Sequence, residues 1–169
     1  MFARAFQQLT AGGALATAAA MVPIGGTACS HLDLCDCTTY TFAVDARGTK
    51  VIPALPPGET SASASAHLNI QSLAYSYSVL VAPSGTIDSV ALYQVPSSDP
   101  LPASATAVFC AGVAACASPS GTMTIVPPAT IATIETSMRG YGTQLVFFTT
   151  TAQKSAGGAM RGTMYPTPY

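Results

Sequence analysis

Charge is what this chain has least of. Only 8% of its 169 residues are Asp, Glu, Lys or Arg, where an ordinary soluble domain carries about 25%. Six basic and seven acidic residues leave a net charge of −1, and no run of Lys or Arg occurs. The electrostatic footprint of a nucleic-acid binder is therefore missing, and so is a strong attraction to an anionic bilayer. Histidine is nearly absent too, with His31 and His67 alone. A Ser-His-Asp site needs a histidine within reach of a serine and a carboxylate. His31 falls in a linker, and His67 falls in an alternating stretch outside any motif. There is no Gly-x-Ser-x-Gly elbow, phosphate loop or dinucleotide fingerprint. Asp88, Asp99, Glu59 and Glu135 are scattered, so no carboxylate pair is set up for glycoside hydrolysis.

What is present is apolar and hydroxyl-bearing. The chain is 49% hydrophobic, which supplies a core and argues against disorder. With so little charge, Ser, Thr, Gly and Gln must cover the surface.

Residues 1–28 read as an address. Arg4 is their one charge, an apolar stretch runs from Ala14 to Val22, and Gly26-Thr27-Ala28 precedes Cys29. A short positive region, an apolar region and small residues at the end describe a secretory signal. The apolar part falls short of the ~18 residues of a membrane-spanning helix, and Pro23, Gly25 and Gly26 interrupt it. Ala28-Cys29 resembles the end of a bacterial lipobox, with Gly26 where an aliphatic residue is usual. Ala28 also suits ordinary signal peptidase. Cys29 is thus a lipidation candidate, and any membrane association is expected only through that lipid. The chain is expected to be exported, as a cell-envelope lipoprotein or as a soluble secreted protein.

The five cysteines are Cys29, Cys35, Cys37, Cys110 and Cys116. An exported chain pairs its thiols, and a lipid on Cys29 leaves four. Cys110 and Cys116 bracket a short loop whose closure would contribute about 2 kcal/mol. Alternatively, Cys35 and Cys37 pair with Cys110 and Cys116 and staple the N-terminal segment to that loop. Cys35-Asp36-Cys37 has one intervening residue, fewer than zinc ligand pairs usually show, so no metal or cofactor is assigned. Residues 29–40 form a cysteine-containing tether, and 41–169 form the domain.

That domain alternates short strand-like runs with turns. Strands are expected at 41–44, 62–70, 73–81, 87–95, 105–110, 122–126, 144–150 and 159–164, with turn signals such as Pro83-Ser84-Gly85 between them. One segment departs. Ile131, Ile134 and Met138 share a helical face, Thr130 is a candidate N-cap and Gly140 a stop. The expectation is an all-β, antiparallel sandwich or barrel of about seven to nine strands, with one short helix near 128–139.

The order of these pieces resembles a CHRD domain, the module first recognised in chordin. Phe42 to Pro57 and Ser61 to Val81 stand where that family has its first strand, a Pro-containing loop and a strand pair. Pro128 to Met138 stands for its late helix, Leu145 to Thr149 for its Val-His-Thr strand, and Gly158-Ala159-Met160-Arg161-Gly162 for its Gly-Glu-Ile-Arg-Gly ending. The resemblance spans residues 41–164. The family's His-Ile-His segment is replaced by Asp88 to Tyr93, and its Val-His-Thr histidine is missing near Phe148. The resemblance therefore implies extracellular binding without the chemistry those histidines support.

Arg161, Gly158 and Gly162 are read as structural, with Arg161 expected to pair with Asp45 or Asp88 across strands. Phe147 and Phe148 are adjacent on one strand and must face opposite sides. The function expected is that of an exported, non-enzymatic β-domain meeting a protein or surface partner. The alternatives are a small-ligand or glycan-binding module, and a metal-dependent enzyme.

Overall fold

The computed structural model describes residues 41–150 and 157–167. Residues 1–40, where the leader and tether are expected, lie outside the described residues, and with them Cys29, His31, Cys35 and Cys37.

The domain is all-β, one antiparallel sheet rolled into a barrel. Its strands are β1 (Thr41–Arg47), β2 (Ser63–Asn69), β3 (Ala74–Val81), β4 (Ile87–Gln94), β5 (Ala107–Ala111), β6 (Ser120–Thr122), β7 (Thr124–Ile125), β8 (Thr143–Thr149), β9 (Met160–Thr163) and β10 (Tyr165–Pro166). They are joined in the order β6-β3-β2-β1-β9-β8-β4-β5-β7. The two ends of that order are neighbours in sequence, with Met123 between them. One extended segment thus closes the ring. Its first half pairs with β3, Tyr75 opposite Gly121, and its second half pairs with β5, Ala107 opposite Ile125. β10 likewise continues β9 along β1 in a single register, with Arg47 opposite Arg161 and Phe42 opposite Pro166.

Strand alternation sorts the side chains. Phe42, Val44 and Ala46 of β1, Ala64, Ala66 and Leu68 of β2, and Leu145 and Phe147 of β8 point into the core. Small residues on β2 make room for the rings of β3, because a narrow barrel fills only when large faces small. Tyr75 stacks on Phe109 with centroids 4.5 Å apart, and Tyr77 meets Phe147 edge-on at 5.5 Å. Phe147 is buried inside, while Phe148 is half-buried outside against Tyr93.

The expected helix is α2 (Ile131–Arg139), since α1 (Val113–Cys116) is a single turn after β5. Thr130 caps α2 in a reciprocal box with Thr133, and Gly140 follows its last residue. Ile134 and Met138 are fully buried in the core, but Ile131 is 40% exposed. The third residue of the expected face thus stays at the surface, because only the later turns of α2 reach the core.

Cys110 and Cys116 are joined in a disulfide with Cα atoms 5.3 Å apart, so the short-loop pairing is the one formed. The loop holds α1. The Tyr77 hydroxyl donates to the Cys116 carbonyl, tying this loop to the core rings of β3.

Candidate functional site

Arg161 sits on the outer face of β9 yet is fully buried. No carboxylate among the described residues forms an ion pair with it, contrary to expectation. Asp45 holds Arg47, with Nη2 to Oδ2 at 2.7 Å. Arg161 instead donates to backbone. Its Nη2 reaches the Pro96 carbonyl and its Nη1 the Asp99 carbonyl, both at 2.8 Å, while Nε makes a longer contact to Gln144 Oε1 at 3.4 Å. The β4–β5 loop folds back over the barrel wall and uses the guanidinium as its clasp. Burial lowers the Arg161 pKa, and the charge of Asp99 opposes that shift. Arginine nevertheless keeps its proton. This is an architectural use of a cation.

The glycines around it answer to close approach. A Cβ on Gly162 would lie 2.5 Å from both the Asp45 carbonyl and Val44 Cγ2 on β1. Gly158 has φ +80, and a Cβ there would run into Val146 Cγ1 and lie 2.8 Å from the Phe147 carbonyl. The chain therefore fits between β1 and β8 at positions 158 and 162 only because no Cβ is present there.

The other titratable residues stay apart. His67 is exposed on β2, opposite Ala43 and Ser76, and no hydrogen bond joins it to a serine or carboxylate among the described residues. Among those residues, no three of His, Cys, Asp and Glu gather as metal ligands, and no helix is long and apolar enough to cross a membrane. Tyr75 and Tyr77 are buried rings of the core, and burial raises both pKa values.

Two exposed features lie at one end of β1–β2–β3. The first is the end of β3. Its ladder with β6 stops at Ser76 opposite Ser120, followed by the Tyr77 N–H to the Pro119 carbonyl at 2.8 Å. β3 runs on regardless, and Val79, Leu80 and Val81 are 36%, 65% and 45% exposed. Antiparallel neighbours alternate along a strand, so the N–H of Val79 points the same way as that of Tyr77, past the end of β6. The sequence shows this stretch as an ordinary strand, and nothing in it marks where β6 ends.

The second feature is a cleft of about 280 Å³ lined by Asp45, Arg47, Thr49, Thr60, Ser61, Ala62, Ser63 and Leu80. Asp45 and Arg47 alternate outward on β1, Ser63 opens β2 opposite Arg47, and the long β1–β2 connection brings Thr49, Thr60 and Ser61 over the strand ends. Gly48 makes that return possible, because its Cβ would sit 2.9 Å from the carbonyls of Glu59 and Thr60. Both Nε and Nη2 of Arg47 go to the same oxygen, Asp45 Oδ2. The hydrogen bond to Asp45, and then its charge, raise the Arg47 pKa.

No known protein family, curated protein or solved structure matches the chain.

Proposed function

We propose that this chain is an exported, non-enzymatic β-domain that acts through contacts with a protein or surface, made by the overhanging end of β3. The observation that carries the reading is three consecutive apolar residues, Val79 to Val81, exposed on a strand whose outer neighbour has already ended. Unpaired strand edges recruit other strands, and proteins usually blunt them with charge, proline or a cover. Ser78 to Val81 carry no charge or proline, and Pro83 comes only after the strand has finished; the one irregularity is a register shift against β2, where Ala64 lies opposite Val79 and Ser63 opposite Val81.

Export is proposed from the leader pattern of residues 1–28, with lipidated and soluble products both consistent with Cys29. A CHRD-type relationship is proposed from the order of strand, loop, strand pair, late helix and Gly-x-x-Arg-Gly ending. Two measurements test the reading. Intact mass from the native host should show a chain beginning at Cys29, and a mass retaining Met1 refutes export. Cosedimentation of the purified mature protein with host envelopes should weaken when Val79 and Val81 are changed to Ser. Equal sedimentation of that variant removes β3 as the contact.

A further inference from the structure

The cleft beside the β3 end is built from polar groups that the protein itself does not use. The hydroxyls of Thr49, Thr60, Ser61 and Ser63 make no hydrogen bond to another described residue. Arg47 grips Asp45 through one carboxylate oxygen only, so Oδ1 of Asp45 and, on the far side of the guanidinium, Nη1 of Arg47 are without partners among the described residues. The cleft thus offers a carboxylate acceptor and, separately, a guanidinium donor, and the hydroxyls can take either role. Leu80 and Ala62 supply a small apolar wall.

We infer that this cleft binds one pyranose ring of a neutral sugar. The inference rests on the proposal that this end of the barrel is the contact end, and it names a ligand class for it. Charge among the lining residues decides against the ionic alternatives, with Lys50 outside the lining and its Nζ on the Asp45 carbonyl at 3.1 Å. An anion attracted to Arg47 would face the Asp45 carboxylate 2.7 Å away, and a cation attracted to Asp45 would face the guanidinium. A neutral polyol meets neither penalty. Each sugar hydroxyl both donates and accepts, so a ring carrying several of them can meet the carboxylate, the guanidinium and the free hydroxyls alike. The volume of about 280 Å³ falls just below the ~300 Å³ at which small-ligand pockets begin, so it suits a single ring. The C–H face of the ring would rest on Leu80. A site this open and without an aromatic platform should be weak, with a Kd on the order of millimolar.

The test is an amide chemical-shift titration of the mature protein with the methyl glycosides of glucose, galactose and mannose, each to roughly 50 mM. At least one should give saturating shifts confined to residues 45–50, 60–63 and 80. Arg47→Ala should weaken that binding by about tenfold while leaving the melting temperature near the parent's, because Arg47 is exposed. Absence of saturation with all three glycosides overturns the inference, and so does tighter binding of glucuronate or sulfate than of any neutral glycoside. Envelope binding that still depends on Val79 and Val81 while the glycosides fail removes the sugar site and leaves the proposed function standing. Loss of both removes both.

Discussion

Replacing Arg161 with Met keeps most of the aliphatic stem and deletes the guanidinium, which isolates what the clasp contributes. Two hydrogen bonds at 2.8 Å, to the carbonyls of Pro96 and Asp99, are lost outright. The 3.4 Å contact to Gln144 is too long to count for much. Each acceptor left buried without a donor costs about 1–3 kcal/mol, which gives a gross loss of about 2–6 kcal/mol. Two effects reduce it. Pro96 and Asp99 are exposed residues, so their carbonyls regain water once the loop lifts. Removing a buried cation also recovers part of its desolvation cost. The lower end, about 2–3 kcal/mol, is therefore expected. At about 4 °C per kcal/mol for a domain of this size, melting should fall by about 8–12 °C. Hydrogen exchange at 96–101 should speed up well before the rest of the barrel opens. Calorimetry of Arg161→Met beside Asp99→Asn separates the carbonyls from the charge. Asp99→Asn keeps its carbonyl and should cost less than about 1 kcal/mol. An unchanged melting temperature for Arg161→Met refutes the clasp, and equal losses in the two variants would mean that charge holds the loop.

Removing the disulfide as Cys110→Ala/Cys116→Ala should cost about 2 kcal/mol from loop-closure entropy. Urea unfolding of the parent with and without reductant should show the same difference, and coincident curves contradict it. Gly162→Ala should destabilise by about 3 kcal/mol, since its Cβ meets β1 backbone at 2.5 Å; a midpoint in urea equal to the parent's would mean that β9 can move away from β1 freely. Burial raises the pKa of Tyr75, Tyr77 and Tyr93 in the folded state. Groups raised on folding lend stability that is fully present below the unfolded tyrosine pKa of about 10 and is lost as pH rises through the folded values. Melting temperature should therefore hold through neutral pH and fall above about pH 10. A flat alkaline profile would show that these phenols ionise as freely folded as unfolded.

Much of what depends on near neighbours was legible in the residues themselves, the single turn of α1 excepted. Thr130, the 131–138 periodicity and Gly140 define α2, because a cap and a stop act within one turn of the backbone. Alternation marked the long strands, and period two alone required that Phe147 and Phe148 part company across the sheet. The short spacing of Cys110 and Cys116 made their bridge one of the open pairings, and the fold brings the two together.

Long-range registry decided the rest. No pattern in Ser120 to Ile125 says that its halves serve opposite edges of one sheet, since strands β3 and β5 come together only when the barrel closes. Arg161 read as half of an ion pair because a buried cation ordinarily needs a carboxylate. The β4–β5 loop, folded back over β9, supplies carbonyl dipoles instead, from residues more than sixty positions away. The cleft is of the same kind. Asp45 and Arg47 are i and i+2 on one strand, and that much can be read from sequence, but Thr49, Thr60, Ser61, Ser63 and Leu80 join them through strand register and a glycine-permitted return. Local chemistry chooses the elements; which side chains then share a surface follows from how the closed sheet sets their register, and only the tertiary structure determines that.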